Sequence, residues 1–145
     1  MSNAPKKLLP RGKRPALTRS QMMGRIRSTN TRPERAVRSA VHALGVRFRN
    51  EAKDLPGKPD LVNRKKKWAI FVHGCFWHGH EGCRLASSPR SNTGYWSTKL
   101  ARNRERDARN AELLRAMGYR VLVVWECETR TGLPLPIAPS FFSPP

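Results

Sequence analysis

The sequence predicts a mixed α/β domain, and three observations carry that prediction. Trp68-Ala-Ile-Phe-Val72 and Tyr119-Arg-Val-Leu-Val-Val-Trp125 are compact apolar runs of strand length, rich in β-branched and aromatic residues. Between them lies a long helical pattern over residues 95–117, stopped by Gly118. Two strands joined by so long a crossover pair in parallel, which makes a βαβ element.

The other elements follow in chain order. Residues 1–17 carry Lys6, Lys7, Arg11, Lys13 and Arg14 with three prolines and few apolar anchors, the composition of a basic flexible arm. A short helix is expected over 19–27, with Met22, Met23 and Ile26 as its apolar positions. Thr31-Arg-Pro-Glu34 reads as a capping box, Thr at N-cap and Glu at N3. The helix it opens places Val37, Ala40, Val41 and Leu44 at helical spacing, and Gly45 ends it. A short strand is expected at 46–49. Leu55-Pro-Gly-Lys-Pro-Asp60 is a turn feeding the strand Leu61-Val62, and the basic turn 63–67 leads into the apolar run from Trp68. The run 119–125 reads as the most deeply buried strand. From Thr131 the chain is rich in Pro and Ser and is expected to be irregular. The pattern is thus one domain over 18–130, with an arm before it and a tail, 131–145, after it.

The charge balance narrows the partner. Lys and Arg number 29 against 10 Asp and Glu, a formal net charge of +19 in 145 residues. Such a chain binds a polyanion, and nucleic acid is the commonest one. No apolar run approaches the roughly 20 residues of a membrane helix, and no secretory core stands near the start, so the expected compartment is the cytoplasm. Three cysteines in a reducing compartment favour metal ligation over a disulfide framework.

The chemistry concentrates in His73-Gly-Cys-Phe-Trp-His-Gly-His-Glu-Gly-Cys83, which holds three of the four histidines and two of the three cysteines. Cys75-x4-His80-x2-Cys83, completed by Cys127 after the last strand, is a Cys3His set suited to closed, tetrahedral, structural zinc. Spacing alone also admits His73 or His78 in place of His80. Asp60, following Pro59 at the start of a strand, can hold a hard cation such as Mg2+ or cap a turn. In the long helix Trp96, Leu100, Asn103, Asp107 and Leu114 share one face, so Asn103 and Asp107 interrupt an apolar stripe and require partners. Asp107 is a candidate to orient a histidine; the alternative is an Asp paired with the arginines around it. Phe76 and Trp77 sit in a loop too short and polar to bury both rings, and can stack on bases or wedge between base pairs.

Leu55-Pro-Gly-Lys-Pro-Asp60, Phe71-Val-His-Gly-Cys-Phe-Trp-His78, Asn103-Arg-Glu-Arg-Asp107 and Gly118-Tyr-Arg-Val-Leu-Val-Val-Trp-Glu-Cys127 resemble, in order and spacing, the very-short-patch repair (Vsr) DNA mismatch endonucleases. The early Thr18-Arg-Ser-Gln-Met-Met23 fits that family as well, so the resemblance spans about residues 18–128. It implies a restriction-endonuclease-like mixed sheet flanked by helices, carrying a structural zinc site. It further implies a Mg2+-dependent nick on the 5′ side of the T in a T:G mismatch, the lesion left when 5-methylcytosine deaminates. By the same resemblance Asp60 and the Val72 carbonyl hold Mg2+, His73 and His78 are the catalytic histidines, and Asp107 pairs with His78. Cys75, His80, Cys83 and Cys127 become the zinc ligands, while Phe76, Trp77 and, from the N-terminal helix, Met23 intercalate. Where restriction enzymes carry an acidic-x-Lys triplet this chain reads Phe71-Val-His73, and a histidine in place of the lysine is what the resemblance to the repair family implies, although that family often has Thr at the Val72 position.

The expected mechanism makes His78, oriented by Asp107, the general base for the attacking water, with His73 positioning the phosphate or a metal-bound water. The expected setting is the bacterial cytoplasm in association with the nucleoid. A monomer is expected to work there on mismatched double-stranded DNA, alongside mismatch-repair proteins and a cytosine-5 DNA methyltransferase. Two rivals stand beside this reading: a restriction-type nuclease cutting its own unmodified site, and a zinc-stabilised DNA-binding module without catalysis.

Overall fold

A computed structural model describes residues 29–87, 89–131, 135 and 137–143. The basic arm, the expected helix over 19–27 and Met23 lie outside the described residues. The elements are α1 (Arg32–Ala43), β1 (Arg49–Asn50), β2 (Leu61–Asn63), β3 (Trp68–His73), α2 (Thr93–Ala116), β4 (Arg120–Trp125) and a single turn, α3 (Glu126–Thr129). Short 3-10 turns occupy Arg84–Ala86 and Pro139–Phe142.

The strands form one sheet in the order β1-β2-β3-β4. The first two pairings are antiparallel and β3-β4 is parallel, with His73 opposite Trp125 and Phe71 opposite Val123. The sheet is therefore mixed, and α2 is the crossover that a parallel pair requires.

Side chains alternate across the sheet and split the core into two layers. Trp68, Ile70, Leu61 and Val124 pack with Val37 and Val41 of α1. Ala69, Phe71 and Val62 pack with Leu114 of α2, Leu55 and Tyr119. Both faces of β3 are covered, which is why its sequence is apolar at every position from Trp68 to Val72.

β4 is less buried than its composition suggests. It is an end strand among the described ones and only Val124 is fully buried, whereas five of six β3 residues are buried. A strand with one neighbour is covered by helices on its faces but not along its edge, so β3 is the true centre.

The described part of the Pro-rich tail holds one short 3-10 turn, Pro139–Phe142, and it is not detached from the core. Ile137 and Phe142 belong to the α1-side cluster, and the Phe142 ring meets Trp68 edge-on at 4.9 Å. The tail supplies the cover that α1, only 12 residues long, cannot extend over Trp68. Among the described residues no helix is long and apolar enough to cross a membrane.

Candidate active site and metal centre

The chemistry gathers where β3 and β4 end and β2 begins. Alternation along β3 sends His73 to the same face as Ala69 and Phe71, the face that α2 covers. The loop then turns back on itself, His78 N–H donating to the Gly74 carbonyl at 3.1 Å and His80 N–H to the Cys75 carbonyl at 2.9 Å. Successive functional side chains of the loop are thereby delivered to opposite sides.

On one side His78 Nδ1 lies 2.5 Å from Asp107 Oδ2 of α2, and the His73 and His78 rings stack at 3.9 Å with 3° between their planes. Burial pushes the Asp107 carboxyl up, but the hydrogen bond and positive charge of His78 outweigh it and hold the group below the usual carboxylate range. An ionised carboxylate only accepts, so Nδ1–H of His78 is the donor, and Nε2 makes no hydrogen bond among the described residues. His73 is 8% exposed; burial first, then the charge of His78, pushes its imidazole down to about 4. It is neutral at pH 7.

Ligand atoms of His73, His78 and Asp107 lie within 4.8 Å of one another, which has the dimensions of a metal site. The stacking argues otherwise. An ion bound by two imidazoles lies near the plane of each ring, about 2 Å from nitrogen, and parallel stacked planes cannot both contain it. The pair is arranged for stacking on one another and for hydrogen bonding to Asp107.

Asp60 sits across the cavity from these rings. Its N–H donates to the Ile70 carbonyl at 3.0 Å, and its Oδ2 accepts the Val72 N–H at 2.7 Å. Burial pushes its carboxyl up to about 6, and the neighbouring Glu34 carboxylate adds to the rise. The turn before it packs directly on α2: Gly57 has φ +72, and a Cβ there would stand 2.9 Å from Cβ of Asn110 and 3.0 Å from the Phe71 ring. Only glycine lets this loop bring Asp60 so close to the helix.

Glu34 completes the cavity and is the residue that the capping-box reading missed. Its backbone N–H does bond Thr31 Oγ1, at 3.4 Å. Its carboxylate instead accepts from Arg38 Nη2 at 3.0 Å, is 6% exposed, and lines the same ≈ 490 Å³ cavity as Asp60, His73, His78 and Asp107. A signal was present: Glu34, Val37 and Val41 share one helical face, so an acid stood on the buried stripe.

On the other side of the loop Cys75, His80, Cys83 and Cys127 bring four donor atoms within 4.8 Å of one another. The turn α3, which follows β4 at once, carries Cys127; its N–H reaches Cys75 Sγ at 3.4 Å, and its Sγ is 3.5 Å from His80 Nδ1. Of the three loop histidines, geometry thus places His80 with the sulfurs. Burial pushes the Cys75 thiol up to about 12, so a thiolate there needs a cation beside it. Three thiols and one imidazole whose donor atoms converge form a set that fits a tetrahedral ion. Trp125 divides the two centres, stacking on His80 at 4.1 Å and meeting His73 edge-on at 5.3 Å.

Phe76 and Trp77 are half-buried and join Trp96 and Tyr95 of α2 in a chain of ring contacts at 5.1 to 6.0 Å. Asn103, the other polar interruption of the α2 stripe, donates its side-chain amide to the Trp77 carbonyl at 2.9 Å. The helix therefore clamps the aromatic loop and orients His78 with residues one turn apart.

The family described as DNA mismatch endonuclease Vsr matches residues 14–84. The chain is 54% identical over 110 residues to the Type II nicking enzyme V.XorIIP of Xanthomonas oryzae pv. oryzae, covering 76% of this chain and 80% of that protein. Against the Type II nicking enzyme V.NmeAIP of Neisseria meningitidis identity is 45% over 112 residues, 77% of this chain and 79% of the relative. Against the DNA mismatch endonuclease Vsr of Escherichia coli it is 42% over 113 residues, 78% and 72% of the two chains. Cavity, loop and relatives lead to one conclusion: the chain belongs to the Vsr family and is a DNA endonuclease.

Proposed function

We propose that this endonuclease nicks one strand on the 5′ side of the T in T:G mismatches left by deamination of 5-methylcytosine, using Mg2+ at Asp60 and structural zinc at Cys75, His80, Cys83 and Cys127. The observation that carries the reading is the union, in one loop, of a half-exposed aromatic cluster and a carboxylate-oriented imidazole. A T:G wobble stacks less well than a normal pair, so Phe76 and Trp77 open the helix there at lower cost, and that difference selects the lesion. Met23 is assigned to the same wedge. A cytosine-5 DNA methyltransferase is the natural source of the 5-methylcytosine, and mismatch-repair proteins are natural collaborators. The names of the Xanthomonas and Neisseria relatives as nicking enzymes support single-strand cleavage.

Asp60 and the Val72 carbonyl would hold the magnesium, with Glu34 adjoining. When bound, the ion supplies positive charge to the phosphate under attack. The Nε2 of His78 takes the proton of the attacking water, and Asp107 keeps that nitrogen pointed at its task. His73, neutral and buried, holds its partner ring by stacking and donates a hydrogen bond to the phosphate.

A nicking assay with magnesium on three duplexes of one sequence context, T:G and its T:A and C:G parents, tests the proposal. Cleavage confined to the T-containing strand of the mismatch is expected. Equal cutting of a fully paired parent would favour the restriction-type reading instead.

A further inference from the structure

The active cavity carries three carboxylates, Glu34, Asp60 and Asp107, and its substrate is an anion. Cations must offset that repulsion, and the rim offers Lys53, Lys58 and Arg106. Arg106 is set apart by position. It stands one residue before Asp107, and Asn110 and Ala111 continue its side of α2 along the cavity wall. Its Nη2 is 3.6 Å from Asp107 Oδ1, beyond hydrogen-bond range, and its side chain is 58% exposed. The guanidinium thus stays at the Asp107 carboxylate as a loose ion pair, with no hydrogen bond to it, and remains largely open to solvent. Arg104 and Arg38 differ: Arg104, on the other side of α2, bonds Glu81 and packs over Gly79 beside the cysteine cluster, and Arg38 is held by Glu34 and Asn30.

We propose that Arg106 is a phosphate-binding residue of the nicking site, its planar fork gripping non-bridging oxygens of a phosphate of the strand being cut. A fork suits this task because two parallel N–H donors fix the orientation of a phosphate, whereas a lysine on the rim only attracts it. This assignment rests on the endonuclease activity and on the location of its cavity, not on the choice of mismatch.

The test pairs Arg106→Gln and Arg106→Lys with duplexes in which single phosphates near the nick are replaced by neutral methylphosphonates. Binding is measured in magnesium-free buffer on a T:G duplex, or on whichever duplex the wild type cuts. Neutralising one particular phosphate should weaken wild-type binding roughly 10- to 100-fold and leave Arg106→Gln unaffected at that position alone. The slope of log affinity against log salt should fall by about 1 in Arg106→Gln and be restored in Arg106→Lys. Identical methylphosphonate profiles for wild type and Arg106→Gln overturn the proposal. A purely positioning role through Asp107 is separated by single-turnover nicking: the effect of Arg106→Gln should persist in an Asp107→Asn background, and its disappearance there also overturns the proposal. Should the wild type fail to discriminate T:G, the mismatch reading falls while the phosphate scan still decides Arg106.

Discussion

The two centres built from one loop make an instructive contrast. Residues 73 and 78 turn to one side and residues 75, 80 and 83 to the other, with the Trp125 ring between them. Both centres use imidazole, and both have ligand atoms within the same 4.8 Å. What separates them is the direction of the lone pairs and the hardness of the neighbours. Around Cys75 the donors converge on a point and are mostly sulfur, which suits a soft tetrahedral ion held for its structural effect. Around His78 the rings lie parallel, one nitrogen is tied to Asp107, and the remaining donors face an open cavity walled by carboxylates. Proximity of ligating groups is therefore a poor guide to metal binding until ring planes are considered.

That contrast can be broken most severely at Asp60. Asp60→Ala should lower the nicking rate by on the order of 10⁴-fold, while zinc content by atomic absorption and affinity for mismatched duplex remain at wild-type values. Retained nicking would remove Asp60 from the machinery.

The opposite centre breaks differently. Cys83→Ser should release the metal and destabilise the fold by more than about 4 kcal/mol, read as lost zinc and a lower melting temperature, because β4 and the loop lose their common anchor. Full zinc content with unchanged melting would refute the structural assignment.

Within the imidazole pair, His78→Gln should cost roughly 10²- to 10⁴-fold in single-turnover nicking. Asp107→Asn should follow it in kind, since an amide no longer fixes the tautomer. His73→Gln should cost less, because that ring is already neutral and its part is to position. A larger loss at His73 than at His78 would reverse their roles.

The smallest effect concerns protons. The Asp60 carboxyl, raised to about 6 by burial, must ionise before it can ligate the proposed magnesium. The magnesium concentration for half-maximal nicking should rise steeply as pH falls below about 6 and level off above it. The sign for stability is the reverse of a salt-bridged Asp: a raised carboxyl favours the magnesium-free fold at pH values below its unfolded pKa, and that contribution is lost as pH climbs through about 6. Asp60→Asn should accordingly stabilise the magnesium-free protein near pH 7 by about 2–3 kcal/mol. A magnesium requirement independent of pH between 5 and 7 would contradict the assignment.

Much of this architecture is legible in local pattern. The Thr31 cap, the α2 stripe with its two polar interruptions, the apolar run of β3 and the crowded loop are all features of neighbouring residues, governed by period, capping and ligand chemistry. Less legible were the second role of Glu34, the exposed edge of β4 and the cover that Phe142 gives Trp68, for these depend on what arrives from distant parts of the chain.

Chain order by itself determined which elements form and which chemistries are on hand, because helical and strand periods are short-range consequences of backbone geometry. Only tertiary structure decided which histidine joins the sulfurs and which meets Asp107, since that depends on a loop reversal against β4 and on the face α2 presents. Spacing along a chain counts residues, whereas coordination and proton transfer respond to the directions in which their lone pairs point.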